Sequence, residues 1–231
     1  MVNASLVLSP RVIETMRAVD RKHYVRSTAD AYIDAPMAIG HGATISAPHM
    51  HATALEHLQD VLQPGMKALD VGCGSGYLTA CMAHLVGACG RVVGVDHIPA
   101  LVNLARQNIA RDHPDFLATN DSSDSGGNAA NVDMAKPRVR LEVADGRVGF
   151  PAEQPYDCIH VGAAAGARPT ALISQLKAPG KLFAPVVCAP HDLDQVIILY
   201  EKDYQGCVTE TELMGVRYVP LTDPERQTRG F

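Results

Sequence analysis

The sequence predicts an α/β fold, an open doubly wound sheet with an N-terminal helical cover. Three observations carry this. From Lys67 onward, short apolar runs alternate with longer amphipathic ones, the rhythm of βαβ units around a parallel sheet. The first apolar run leads straight into Gly72, Gly74 and Gly76 and then a helical pattern. Acidic residues, Asp70, Asp96 and Asp145, stand at the ends of the first three apolar runs.

Taken in order, strands are expected at 68–71, 91–95, 139–143, 158–161, 182–187 and 196–200. Helices are expected at 77–86, at 99–111 with Pro99 in the first turn, and at 169–176 with Gly180 breaking the chain afterwards. Residues 1–66 carry helical patterns at 11–19 and 51–62, separated by a loop bearing Gly and Pro. They read as a cover on the 67–231 sheet core, so the whole of 1–231 is expected to form a single domain. Residues 115–137 are polar and rich in Gly and Ser. Such a segment buries too little apolar surface to offset its ordering entropy, and a mobile loop is expected there.

Composition narrows the function. The chain has 231 residues, 47% of them hydrophobic, and a formal net charge of −5. That is apolar enough for a sizeable core and lacks the basic footprint of a nucleic-acid binder. No apolar run approaches the roughly 20 residues needed to span a bilayer. No basic residue precedes Leu6, Val7 and Leu8 to make a signal peptide, and a cytoplasmic location without a membrane partner is expected. The six cysteines are scattered without a CxxC pair, as for reduced core thiols. His41, His49, His51 and His57 lack a matching Cys or carboxylate cluster, so no metal is expected.

The glycine turn has the geometry of a nucleotide-site loop, with backbone free to approach a ligand at the carboxyl end of a strand. Its spacing is GxGxG rather than GxGxxG, so the dinucleotide pattern is incomplete. Asp70, just before it, disfavours a pyrophosphate and suits a cationic group. S-adenosyl-L-methionine, with a sulfonium and no phosphate, fits better than NAD. Asp96 stands where such folds place an acceptor for ribose hydroxyls, and Asp145-Gly146 could read an adenine edge. Bland readings stand beside these: Ser75 as a helix N-cap, Tyr77 and Leu78 as core, the strand-end acids as turn residues.

One segment is more specific. Ala43-Thr-Ile-Ser-Ala-Pro-His-Met-His51, preceded by Tyr32-Ile-Asp-Ala-Pro36 and Ile39-Gly40, resembles the protein L-isoaspartate (D-aspartate) O-methyltransferase family. Further matches are 68–77, 94–98, 145–147, 156–165, 176–180 and Met214-Gly-Val-Arg-Tyr-Val-Pro-Leu-Thr-Asp223. The resemblance covers the chain from about Val19 to Gln227. Departures from the family pattern are a late start, a long 115–137 loop, Cys73 for a small polar residue, and Val187-Cys188 for a glycine-containing turn.

The resemblance implies a Rossmann-like methyltransferase fold and methyl transfer from S-adenosyl-L-methionine to the free carboxylate of L-isoaspartyl, and also D-aspartyl, residues in damaged proteins. S-adenosyl-L-homocysteine would be the product, no metal would take part, and the protein would act as a monomer. It implies that Ser46 is the active-site serine at the substrate carboxylate. It also implies that Ala43, Thr44, Ile45, His51, Ser75, Asp96, His97, Asp145, Gly146, Thr222 and Gln227 line the cofactor pocket, beside Asp70, Gly72, Gly74 and Gly76 of the glycine turn. Two other readings stay open: an NAD-dependent oxidoreductase on the same loop, and a binding module that has lost turnover.

Overall fold

A computed structural model describes residues 9–118, 137–188 and 194–229. Helix α1 (Pro10–Ala18) is followed by a hairpin of β1 (Met37–Gly40) and β2 (Ala43–Ile45), then α2 (Pro48–Leu58). The core elements follow as β3 (Lys67–Val71), α3 (Tyr77–Val86), β4 (Arg91–Asp96), α4 (Pro99–Asp112), β5 (Val139–Val143) and β6 (Tyr156–Val161). Helix α5 (Thr170–Ser174), β7 (Leu176–Val187), β8 (Gln195–Lys202), β9 (Val208–Val216) and α6 (Pro224–Arg229) complete the order.

Seven strands form one sheet in the order β5-β4-β3-β6-β7-β8-β9. The pairs from β5 to β7 are parallel, while β7-β8 and β8-β9 are antiparallel. The chain leaves β3 for β4 on one side and later returns to β6 on the other. The carboxyl end of β3 is therefore the switch point where open α/β sheets hold their ligands.

The central strands are apolar because both sheet faces are covered. Along β3, Ala68 joins the cluster that holds Val12 of α1, Leu55 of α2, Cys81 of α3 and Ile109 of α4. Leu69 and Val71 point the opposite way, towards Ile159, Leu172 and Ala184. The winding is uneven, with α1 to α4 on one face and the short α5 on the other. Ser9 caps α1 by accepting from the Val12 N–H at 3.4 Å, and Pro99 starts α4 as the sequence implied.

Three expectations change. The helix expected at 169–176 is only Thr170–Ser174. Lys202 Nζ donates to the carbonyls of Ile173 and Leu176 at 2.7 Å each, and Leu176 opens β7, where the ladder wins. Gly180, expected as a break, lies inside that strand opposite Lys202. Pro114–Phe116, partly inside the expected mobile loop, forms a 3-10 turn. Phe116 is buried there between the stacked His113 ring at 4.4 Å and the Arg138 guanidinium at 4.5 Å. Residues 119–136 of that expectation lie outside the described residues.

Candidate active site

Four strand ends build the site. The N–H groups of Gly72 and Cys73 donate to the Val95 carbonyl at 2.8 and 3.0 Å, and that of Gly162 to the Val71 carbonyl at 2.7 Å. These bonds tie the loops after β3, β4 and β6 together. Gly72, Gly74 and Gly76 have φ of 75°, 52° and 84°, a left-handed path that glycine follows without penalty. The result is a narrow cleft at the carboxyl ends of these strands, where open α/β sheets hold their ligands.

Its walls include Gly72 and Gly74 from the glycine turn, Asp96 and His97 after β4, Gly146 after β5, and Gly162 and Ala163 after β6. Ala43 and Thr44 of β2 and Gln227 of α6 close it from outside the sheet. Asp96 is buried, accepting from the Gly74 N–H at 3.1 Å on Oδ2 and the Ile98 N–H at 3.0 Å on Oδ1. Burial raises its carboxyl above the ordinary value, against the pull of those two bonds. His97 Nε2 is buried with no hydrogen-bond partner among the described residues.

Other residues named from the sequence sit near this cleft without lining it. Asp70 is 1% exposed, with Oδ1 on His160 Nδ1 at 2.9 Å and Oδ2 accepting from Thr79 Oγ1 at 2.5 Å. Its two oxygens are thus each engaged within the fold, tying β3 to β6 and α3. Ile45 is a core side chain, and Ser75 is buried with its carbonyl accepting from Asn108 Nδ2 at 2.9 Å. Gly76 packs on Ala105 and Ile109 of α4. The Asp145 side chain is drawn to Arg147, 2.8 Å from Oδ2 to Nη2, and that guanidinium holds its carboxyl below the usual value; only the neighbouring Gly146 reaches the cleft. Thr222 is buried beside the lining Leu221. His51 is buried between Arg21 and Tyr77.

Arg147 Nη2 also meets Asp223 Oδ1 at 2.6 Å, which anchors the chain entering α6. Gln227 Nε2 then donates to the His41 carbonyl at 3.0 Å, joining α6 to the turn between β1 and β2. Gly42 at φ 69° makes that approach possible, because a Cβ there would lie 2.6 Å from the Gln227 carbonyl oxygen.

Ser46 lines a second, wider cleft with Pro36, His49, Met50, Arg217 and Tyr218. Thr44, Val219 and Pro220 belong to both clefts, so the two meet at that wall. Burial raises the Tyr218 phenol above its ordinary value, opposed by a hydrogen bond with Ser46. His49 Nδ1 is 2.8 Å from Asp34 Oδ1.

The sequence reading did not single out Gly162, Ala163, Val219, Pro220 and Leu221 as site residues. They arrive through long-range pairing, with Ala164 N–H donating to the Val219 carbonyl and Leu221 N–H to the Ala164 carbonyl, both at 2.8 Å.

The first cleft suits S-adenosyl-L-methionine. Among the described residues, no Lys or Arg lines it to give a phosphate a side-chain counter-charge. A buried carboxylate with free lone pairs and an unpartnered imidazole nitrogen supply polar contacts among small, close backbone groups. Among the described residues no group of three or more His, Cys, Asp or Glu could hold a metal, and no helix is long and apolar enough to cross a membrane.

Comparison with known proteins agrees with this geometry. A protein-L-isoaspartate O-methyltransferase 1 from Arabidopsis thaliana is 45% identical over 99% of this chain and 90% of its own. A Caenorhabditis elegans protein-L-isoaspartate O-methyltransferase is 42% identical over 97% of this chain and 90% of its own. A Plasmodium falciparum crystal structure, assigned to the same activity and holding S-adenosyl-L-homocysteine, superposes with a TM-score of 0.78 at 33% identity. It covers 94% of this chain and 92% of that one. With the family model matching residues 1–226, the chain belongs to the protein-L-isoaspartate(D-aspartate) O-methyltransferase family.

Proposed function

We infer that the chain transfers a methyl group from S-adenosyl-L-methionine to the free carboxylate of L-isoaspartyl, and also D-aspartyl, residues in damaged proteins and peptides. The observation that carries the reading is the meeting of two clefts at Thr44, Val219 and Pro220, with Ser46 on the wider side. S-adenosyl-L-methionine would supply a sulfonium-bound methyl, to which a substrate oxygen bonds in line as the S–CH3 bond breaks and S-adenosyl-L-homocysteine leaves. Asp96 would hold the ribose hydroxyls, Gly146 and Leu221 the base, and Gly72, Gly74 and His97 the remaining contour.

The substrate side has a simple task. A carboxylate with a reference pKa near ~4 is already ionised at pH 7, so no general base is needed. Ser46 donates one hydrogen bond that orients an oxygen without protonating it. Thr44 and Ser46 line the same cleft, as residues two apart in an extended segment do. Holding nucleophile and methyl in line is the dominant source of rate, and well-oriented reactants can gain about 7 to 11 kcal/mol. The ester formed then closes to a succinimide when the neighbouring amide nitrogen displaces methoxide, and hydrolysis of that ring returns some normal aspartate.

Six free cysteines, three of them exposed, support a reducing compartment, the cytoplasm. Incubating an isoaspartyl peptide with the protein and S-adenosyl-L-methionine, followed by mass spectrometry, should show a peptide methyl ester that decays to succinimide. A peptide that gains no methyl while S-adenosyl-L-homocysteine binds would leave a binding module instead.

A further inference from the structure

The wider cleft that holds Ser46 carries a permanent charge. Arg217 lines it, exposed to solvent, and among the described residues no Asp, Glu or Lys shares that wall. His49, the other basic group there, leans on Asp34, with its backbone N–H donating to Oδ1 at 3.0 Å and Nδ1 at 2.8 Å from the same oxygen. Among the described residues the Arg217 guanidinium has no carboxylate or hydrogen-bond partner. Arg140, Arg147 and Arg168, also at the surface, each hold a carboxylate at 2.6 Å. The main chain beneath Arg217 is nonetheless fixed. Strand β9 ends at Val216, opposite Gln195 of β8. The Gln195 side chain then clamps Tyr218, with Oε1 accepting from its N–H at 2.6 Å and Nε2 donating to its carbonyl at 3.1 Å. Arg217 therefore stands on a rigid base with an uncommitted head.

We propose that Arg217 is a specificity-determining residue that selects isoaspartyl substrates carrying an Asp or Glu within two residues of the damaged linkage. This rests on the reading of the Ser46 cleft as the seat of the substrate carboxylate. A flanking carboxylate in that cleft gains a guanidinium partner, whose fork matches it in a bidentate pair, and no acidic side chain among the lining residues opposes it. A flanking Lys or Arg meets like charge instead. The isoaspartyl carboxylate is common to every substrate and cannot supply this discrimination. At long range the net charge of −5 works against acidic peptides, so the selection comes from contact. An exposed ion pair is weak, which makes the effect a preference in binding and not a requirement for methyl transfer.

Steady-state kinetics with isoaspartyl peptides of one sequence test this, the peptides differing only in Ala, Glu or Lys at each of the two positions on either side of the linkage. In the wild type, Glu at one or more of these positions should raise kcat/KM about two- to fivefold over Ala, the reach of one exposed ion pair. Lys there should fall below Ala, and the gain should lie in KM with kcat unchanged. Raising the ionic strength from about 0.01 M to about 1 M shortens the screening length from about 30 Å to about 3 Å and should erase the preference. In Arg217→Gln the Glu-to-Ala ratio should fall to one or below, and in Arg217→Glu the Lys peptide should become the better substrate. These ratios are internal to each variant, so a change in its folded fraction does not alter them. Equal wild-type rates for Ala and Glu peptides at every position overturn the proposal even if neither variant folds. So does an Arg217→Gln protein that keeps the wild-type ratio, or one slowed equally on all peptides, which would put the guanidinium on the isoaspartyl carboxylate itself. An Ala-flanked isoaspartyl peptide that takes no methyl from the wild type refutes the methyl-transfer reading, whereas one methylated as well as its Glu counterparts refutes the role of Arg217 alone.

Discussion

Replacing Asp96 by Asn isolates one carboxylate in a buried setting. In the wild type each carboxylate oxygen accepts one backbone N–H, from Gly74 at 3.1 Å and from Ile98 at 3.0 Å, leaving a lone pair on each for a ribose hydroxyl. The amide keeps one oxygen and turns an N–H2 towards a backbone N–H. One charge-assisted bond to the ligand is lost, about 1.5 to 3 kcal/mol. At about 1.4 kcal/mol per tenfold, that weakens S-adenosyl-L-homocysteine binding by about ten- to a hundredfold. Removing a buried charge offsets part of the new donor conflict, so the melting temperature should move by less than about 4 °C. The sign of the pH dependence follows from burial, which raises the Asp96 carboxyl. In the unliganded fold, this group's contribution to stability is fully present below its unfolded value and declines as pH rises through the raised one. Ligand binding runs the other way, because hydroxyl donors favour the ionised form. Affinity should be full above the raised value and fall on acidification through it, and the Asn variant should lose that step. Isothermal titration across pH reads both effects. A folded Asn variant with unchanged affinity would refute the ribose role.

Ser46→Ala should leave S-adenosyl-L-homocysteine affinity intact and slow single-turnover methyl transfer by the worth of one hydrogen bond to a charged group, about 1.5 to 3 kcal/mol; full activity would remove Ser46 from the site. Gly42→Ala places a Cβ 2.6 Å from the Gln227 carbonyl oxygen at φ 69°. The left-handed cost alone is about 1 to 2 kcal/mol, so calorimetry should show a melting point lower by about 2 to 8 °C together with weaker ligand binding. Arg147→Gln breaks exposed pairs with Asp145 and Asp223, worth at most about 1 kcal/mol to the fold. Ligand affinity should nevertheless drop several-fold as α6 loses its anchor, and titration showing no change would detach α6 from binding.

What the sequence made legible was local. The glycine turn after an apolar strand, and Asp96 at the next strand end, are positions where backbone geometry dictates residue type, and both line the first cleft. What it hid depended on distant partners. Asp145 reads as a strand-end acid like Asp96, yet Arg147 two residues later captures it, and pattern alone cannot choose between a ligand and a neighbouring guanidinium. Strand β9 carries Glu210 and Glu212 and is largely exposed, as befits an edge that resists further pairing, so its apolar alternation is faint. The β1-β2 hairpin had a signal, Gly40-His41-Gly42 between apolar residues, all three at positive φ. The same turn fixes Thr44 against the second cleft.

The central claim, direct transfer to an isoaspartyl carboxylate oriented by Ser46, is tested most directly by methyl transfer to two peptides of one sequence. They differ only in isoaspartyl against aspartyl linkage at a single residue. With saturating S-adenosyl-L-methionine, the isoaspartyl peptide should be methylated and release methanol, while the aspartyl peptide stays at the level of the no-enzyme control. Equal methylation of both peptides, or of neither, would contradict the account.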